Sequence, residues 1–276
     1  MSDIVPSSEL GDLLQAYACT QLARAAHCLS RRGTRTHDGV HQARKSMRRV
    51  RACIALAGFE RAGEGRRLDR AIASLCRSLS LLRDAHARVG LLDAMLHHSH
   101  PEDEQSLLRR ARRAALADRV DAMRVARAED PDFADRRRQL LALGKDLTAL
   151  PWTTVDADAI TAAINHSLVR ARKAQTRALN DGDADDWHRW RRRRRRLAQQ
   201  HTALQAIGIE SGELNDAERE ITHLLGESQD LHVLVRYFGG HRAISKRERR
   251  ALESLLHARH AHKNAEVIGR VDGPAA

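Results

Sequence analysis

Aromatic residues and prolines are scarce in this chain, and both shortages restrict the fold. Aromatic residues make up 3% of the 276 positions, so a hydrophobic core has to be built from Leu, Ala, Ile and Val. There are five prolines, and β-branched residues in alternating patterns are hard to find. Helix is therefore favoured nearly everywhere. A hydrophobic fraction of 42% suffices for a packed core, which excludes a wholly disordered chain.

Cysteine is also scarce, and no two of the four cysteines form a C-x-x-C pair. Cys19, Cys28, Cys53 and Cys76 lie in helix-like segments, so we expect small buried thiols in a reducing compartment rather than disulfides or metal ligands. The N-terminus has no basic region followed by an apolar run, and no apolar stretch is long enough to cross a membrane. These absences predict a cytoplasmic protein without a membrane partner.

Lysine is rare too, although the chain is strongly basic. Its net charge is +12 and its isoelectric point is near 10.6, with nearly all of the positive charge carried by arginine. Such a balance predicts a polyanionic partner: nucleic acid, an anionic membrane or polyphosphate. Guanidinium groups suit phosphate oxygens because they bind them in a bidentate manner. A GC-rich genome would inflate the number of arginines, but it would not explain where they lie.

Helical periodicity runs along the whole sequence and predicts an all-α fold. Glycine pairs, prolines and N-capping residues divide it, with a turn at 63–67, a joint at 149–154 and a turn at 180–182. The segment 68–98 is expected as one or two helices. The predicted helices cover residues 7–33, 38–59, 68–98, 102–128, 131–149, 156–180, 186–207, 213–238 and 242–266.

Three segments of the first half match segments of the second half in the same order. VHQARKSMRRVRA (40–52) matches WHRWRRRRRRLAQ (187–199), LLRDAHARVGLL (81–92) matches ESQDLHVLVRYF (227–238), and QSLLRR (105–110) matches ESLLHA (253–258). The offsets all lie near 147 residues. The sequence therefore predicts one domain over 1–276, made of a first helical repeat at 1–150 and a second at 151–276.

The first matched segment has one cationic and one apolar stripe when drawn as a helix. With His41 as reference, Lys45 and Arg48 lie within roughly 40° and Arg44 within about 60°. Val40 and Met47 are on the opposite side. A histidine in a cationic stripe is not a core residue, so His41 is predicted to take part in binding.

The run WHRWRRRRRR (187–196) repeats this stripe with His188, Arg191, Arg192 and Arg195, and with Arg196 at its edge. Trp187, Trp190 and Arg194 fall on the apolar side. The interpretation at this stage is that Arg189, Arg193 and Arg194 are solvated excess charge. If the two repeats pack about a pseudo-twofold axis, both stripes face one cavity, and an anion there relieves their repulsion. Asp84 and Asp230 are candidates for anchoring nearby arginines by ion pairs.

These residues resemble the conserved histidine α-helical domain, or CHAD, family. Its pattern is an apolar residue, a histidine and a series of basic residues in each half, as in 40–56 and 187–199. Its second pair of elements resembles LRDAHARV (82–89) and SQDLHVLV (228–235). The resemblance covers essentially the whole chain. It implies an internally duplicated pair of four-helix bundles related by a pseudo-twofold.

The resemblance also implies non-catalytic binding of inorganic polyphosphate on a central basic surface. A further hypothesis, compatible with this one, is an interaction adaptor that attaches to polyphosphate granules. Ala198, Gln199 and Arg194 depart from the family pattern, which puts in question the contacts of the second half. Carried over by position, the ligand-contacting set is His41, Arg44, Lys45, Arg48, Arg49, Arg51, His188, Arg191, Arg192, Arg195 and Arg196.

Other chemistry finds little support in the sequence. There is no G-x-x-x-x-G-K-[ST] loop and no G-x-S-x-G motif, and no carboxylate pair is placed for acid–base work. HHSH (97–100) and HARHAH (257–262) lack carboxylate or cysteine partners at metal-binding spacing. We therefore expect no enzyme, no cofactor and no metal site. The alternative hypothesis is a nucleic-acid-binding protein that contacts phosphates without reading bases.

Overall fold

The chain folds into ten α-helices in the part that the structure describes, residues 7–98, 101–209 and 216–272 of a computed structural model. These ranges contain no strand, and the predicted all-α fold is confirmed. Short 3₁₀ turns link some of the helices. The helices are α1 Ser7–Cys28, α2 Thr36–Leu56, α3 Gly63–Ser78, α4 Ser80–Leu96, α5 Glu102–Glu129, α6 Ala134–Thr148, α7 Ala157–Asp181, α8 Ala184–Ala206, α9 Asp216–Gly239 and α10 Lys246–Asp272.

The turn predicted at 63–67 is wrong, because α3 already begins at Gly63. Its first turn packs tightly on the preceding 3₁₀ turn at Phe59–Arg61. A Cβ atom at Gly65 would lie 2.4 Å from the Cβ of Phe59, so the glycine is needed for close packing rather than for a bend. The predicted segment 68–98 is two helices, α3 and α4, which are separated at Leu79.

Local capping fixes where the arginine-rich helix begins. Gly182 ends α7 in the left-handed conformation, with φ at 62°. The side chain of the next residue, Asp183, accepts the backbone N–H of Asp185 at 2.5 Å and caps α8. A left-handed glycine and an aspartate N-cap satisfy backbone groups that a helix end leaves unpaired. This short connection places α8 against α7.

Two of the three buried cores of the described residues are shared between the two halves of the sequence. The largest unites α1, α2, α3 and α6 with Trp152 and Val155, which follow the predicted joint. The Trp152 indole N–H donates to the Leu147 carbonyl at 2.8 Å, so the joint is a packed turn. A second core combines α4 and α5 with α9 and α10, and a third lies among α7, α8, α9 and α10. The halves therefore bury their apolar surface against each other.

Helix pairing follows the order expected of a repeat. In one half α1 packs on α2 and α4 on α5; in the other, α7 packs on α8 and α9 on α10. Across the halves, α2 contacts α8 and α4 contacts α9. Neither α3 nor α6 has an equivalent among the described helices of the second half. The internal duplication remains a prediction, which a superposition of the two halves tests.

Candidate functional site

A cationic cleft lies where α2 packs against α8. Its volume is about 190 Å³ and its walls carry seven arginines, with Ala52 and Gln199 completing the lining. Both helices bury their apolar sides in separate cores, with Met47 of α2 in the first, largest core and Trp190 of α8 in the third. Burial of these sides turns the opposite, basic sides toward the shared cleft. The arginines are Arg48, Arg51, Arg189, Arg192, Arg193, Arg195 and Arg196.

Beside the cleft, arginines from three helices form a cluster. We define the arginine cluster as Arg44, Arg48, Arg83, Arg191 and Arg195. Arg44 is held by the Cys76 carbonyl and, at 2.9 Å, by the Ser80 hydroxyl. These neutral acceptors orient the guanidinium without cancelling its charge, so the anchored arginine still contributes to the positive potential.

The candidate anchors Asp84 and Asp230 lie within ion-pair distance of two members of the arginine cluster. Arg83 lies 3.1 Å from the Asp84 carboxylate and 4.0 Å from that of Asp230. Arg191 lies 3.8 Å from the same Asp230 oxygen. Two half-exposed carboxylates thus face five guanidinium groups, and the cluster keeps a net positive charge.

Arg48 and Arg195 are the cations with the least compensation. Neither forms an ion pair with a carboxylate of the described residues. Burial, together with neighbouring arginines, lowers the pKa of Arg48 to about 10. Burial and then the charges of Arg48 and Arg191 lower the pKa of Arg195 to about 9. Both shifts mean that the site disfavours its own positive charge, which an incoming anion would stabilise.

The two histidines flank the arginine cluster. The His188 ring lies 2.8 Å, Nδ1 to Oε1, from the Gln229 side chain. Desolvation, followed by the charges of Arg192, Arg191 and Arg195, lowers its pKa, and the Gln229 contact opposes the shift. Desolvation, then Arg48, Arg83 and Lys45, likewise lower the pKa of His41. Both rings therefore favour the neutral form while the site holds no anion.

Two predicted contact residues at the cleft edge already have acidic partners. Arg51 forms a bidentate pair with Asp69 on α3, at 2.8 and 2.9 Å. Arg196 donates to Glu60 at 3.1 Å. A charge-assisted pair holds each guanidinium in place, so these arginines shape the cleft but have less free charge to offer.

The remaining predicted positions divide between the site and its surroundings. Lys45 and Arg192 are exposed members of the two stripes, and Arg192 lines the cleft. Arg49 is not brought into the cluster, because its guanidinium turns toward α1 and donates to Gln21 at 3.3 Å. Sequence matching could not reveal this, since Arg49 lies at the edge of the stripe and adjacent helices decide which way it points.

The interpretation as solvated excess charge is wrong for Arg194, whereas Arg189 is exposed as that interpretation expects. Arg189 and Arg193 line the cleft. Arg194 is 7% exposed, and its guanidinium donates to the Glu218 side chain at 3.2 Å and the Glu218 carbonyl at 2.9 Å. A buried arginine needs such a partner, so Arg194 ties α8 to the start of α9.

Arg83 is the member of the arginine cluster that sequence reasoning missed. It immediately precedes Asp84 in the matched segment 81–92, but the residue at the equivalent position of the second half is Gln229. The match is thus basic in one half and neutral in the other. In the structure, Gln229 contacts His188, and the charge of Arg83 lowers the pKa of His41. The two matched positions therefore both lie beside a histidine, and the match between 81–92 and 227–238 was the signal in the sequence that pointed to them.

The described part of the chain offers neither a metal site nor a membrane-spanning helix. No group of three or more His, Cys, Asp or Glu side chains there is arranged to hold a metal ion. Of the HHSH segment, Ser99 and His100 lie outside the described residues. Among the described helices, none combines the length and the apolar character that spanning a bilayer requires.

Two solved structures share this helical architecture. The CHAD domain from the plant Ricinus communis aligns with a TM-score of 0.67 and 21% identity, covering 96% of this chain and 93% of its own. PptA from Streptomyces chartreusis aligns with a TM-score of 0.66 and 17% identity, covering 94% and 96%. At these identities the similarity concerns the fold. No curated protein sequence matches the chain significantly.

The family profile extends the similarity from fold to sequence. The CHAD domain profile matches residues 16–208, which include the cationic stripes of both α2 and α8. These stripes are also the segments that form the cleft and most of the arginine cluster. Because the profile covers well over half of the sequence and the fold agrees along nearly all of it, this chain belongs to the CHAD domain family.

Proposed function

We propose that the protein binds inorganic polyphosphate in the cleft between α2 and α8, without catalysing a reaction. The observation that carries the proposal is the unbalanced charge of the arginine cluster, where Arg48 and Arg195 lie close together and lack carboxylate partners in the described structure. Half-buried cations that repel each other lower the stability of the free protein. A bound polyanion removes this repulsion, and the free energy gained contributes to its affinity.

The dimensions of the cleft favour a single flexible phosphate chain. The cleft has a volume of about 190 Å³, so a rigid duplex about 20 Å wide can contact only its rim, whereas a single chain of phosphates can enter it. Base stacking is disfavoured too, because Trp190 is fully buried and Trp187 packs beside it in the third core. The arginine forks match phosphate oxygens, and these repeat along polyphosphate without intervening sugars or bases.

A binding role fits the side chains near the cleft better than a catalytic one. The carboxylates close to it, Asp69, Asp84, Asp230 and Glu60, are each engaged with an arginine. Carboxylates paired in this way anchor cations rather than serve as general bases. We place the protein in the cytoplasm, where binding would attach it to polyphosphate granules.

A competition experiment tests the proposal. Fluorescently labelled long-chain polyphosphate is titrated with the full-length protein, and unlabelled duplex DNA, RNA and inorganic monophosphate compete at equal phosphate concentration. We expect polyphosphate to compete best, and the affinity to fall steeply with salt because counterions are released. Equal or better competition by DNA or RNA at the same salt concentration would overturn the proposal in favour of nucleic-acid binding.

A further inference from the structure

The α8 side of the cleft carries more arginines than the two matched stripes account for. Arg189 and Arg193 extend its wall on α8. The positions that match them on α2 are Gln42 and Ser46, which carry no positive charge. We call Arg189 and Arg193 the α8 flank. It breaks the expected pseudo-symmetry, because the second half alone supplies this extra charge.

The α8 flank and the stripe belong to one continuous surface. Arg192 and Arg195 of the stripe line the same cleft as Arg189 and Arg193. On a helix, residues four apart lie one above the other, about 6 Å along the axis. The flank therefore offers two guanidinium groups in line beside the stripe, rather than isolated charges elsewhere on the surface.

Arg193 is the key residue of the α8 flank. It forms no ion pair with a carboxylate of the described residues, whereas Arg189 donates to Asp186 at 2.7 Å. Burial and the nearby charges of Arg170, Arg196, Arg192 and Arg189 lower the pKa of Arg193 to about 10. Arg170 lies on α7, so the positive surface continues from the α2–α8 cleft toward α7.

We infer that the α8 flank is a second contact region through which a long polyphosphate chain leaves the central cleft toward α7. The inference rests on the proposed function. It adds that the bound chain is held asymmetrically, by more cations on the α8 side than on the α2 side. A ligand short enough to stay among the arginine cluster makes few contacts with the flank, so the flank selects for chain length.

The test compares two double variants that each remove two arginines spaced four apart on one helix. R189Q/R193Q removes the α8 flank. R109Q/R113Q removes two exposed arginines from α5, which does not line the cleft, and serves as the matched control. Affinities for long-chain polyphosphate and for tripolyphosphate are measured by calorimetry with wild type and both variants, over a series of salt concentrations.

We expect R189Q/R193Q to weaken long-chain binding about tenfold, with a several-fold smaller effect on tripolyphosphate. The slope of log K against log salt should become shallower by about 1.5 for long chains, because two fewer phosphate contacts each release about 0.7 to 0.9 counterions. The control should stay close to wild type. If both variants lose long-chain affinity equally, or if the flank variant loses affinity for both ligands in the same ratio, the inference is overturned. A wild-type protein that binds neither ligand would instead reject the proposed function.

Discussion

Arg48 and Arg195, at the scale of single residues, are the cations on which the proposed binding site most depends. Each is largely enclosed, each faces other arginines, and each lacks an ion pair within the described structure. Nothing in the ligand-free protein balances their charges locally. The proposed bound anion explains these two positive charges better than packing does.

Neutralising both residues should separate binding from stability. We expect R48Q/R195Q to lose at least about tenfold in polyphosphate affinity, since a charge-assisted contact contributes ~1.5–3 kcal/mol. The free energy of unfolding of the ligand-free protein should rise by about 1 kcal/mol, because repulsion between half-buried cations is removed. Titration with polyphosphate and thermal unfolding without ligand measure the two effects. A variant that loses stability as well as affinity would show that the two arginines are structural.

The histidines should make binding depend on pH. Desolvation and nearby arginines lower the pKa of both His41 and His188, so the free rings are neutral at neutral pH. A bound polyanion favours the protonated rings and raises their pKa above the free value. Binding then takes up protons, so affinity increases as pH falls through the bound-state pKa and levels off below the free-state pKa.

Affinity for long-chain polyphosphate, measured from about pH 8 to about pH 5, checks this expectation. The variant H41Q/H188Q should bind more weakly in acid and show a much flatter profile. Monophosphate titrates in the same interval, but the internal phosphates of a long chain do not, so the ligand itself contributes little. A wild-type profile as flat as that of the variant would rule out protonation of the two rings on binding.

At the scale of elements, α8 uses its arginine run for three different purposes. Arg191 and Arg195 belong to the arginine cluster, and Arg189 and Arg193 line the cleft toward α7. Arg194 is buried and pairs with Glu218 at the start of α9. Arginines within one turn of α8 therefore lie in different surroundings, some in the cleft and one in the core. The reason is the 3.6-residue periodicity, which directs adjacent side chains to different faces of the helix.

Replacing Arg194 by an apolar residue should change the stability little, whereas removing only its partner Glu218 should lower the stability. R194M introduces the residue that Met47 provides at the matched position of α2, and we expect its free energy of unfolding to stay within about 1 kcal/mol of wild type. E218A leaves the Arg194 guanidinium without its carboxylate and should cost about 2–4 kcal/mol. Chemical denaturation measures both. Polyphosphate affinity should be the same as in wild type for both variants at temperatures where they are folded. A large loss of affinity in R194M would instead place Arg194 in the binding site.

At the scale of the whole molecule, the two halves depend on each other for their cores. Leu92 and Leu108 of the first half pack with Leu234 and Phe238 of the second, and all four are fully buried. Residues on both sides of position 151 also share the largest core. Neither half is thus a unit that buries all of its apolar surface by itself.

Separating the halves should therefore prevent folding. We expect the fragment 1–150 to expose the α4–α5 face, to unfold without cooperativity and to bind a hydrophobic dye. Co-expression of 1–150 with 151–276 should restore a complex that unfolds cooperatively and binds polyphosphate. Circular dichroism and thermal melts compare the fragment with the intact chain. Cooperative unfolding of 1–150 alone would mean that the shared cores contribute little.

The sequence by itself determined the helical class, most helix positions and the two stripes that line the cleft. These properties depend on composition and 3.6-residue periodicity, which are local and can be counted along the chain. Misjudged helix boundaries were also local in origin: glycines at 63–67 suggested a turn, although Gly65 is there for packing against Phe59.

The tertiary structure decided which basic residues face the site. Periodicity gives the direction of a side chain relative to its own helix, but not which helix lies opposite it. For this reason the sequence did not reveal that Arg83 belongs to the arginine cluster or that Arg49 faces α1. It also did not reveal that Arg193 lines the cleft. Burial was likewise unpredictable for Arg194, because its partner Glu218 comes from a helix that only folding brings beside it.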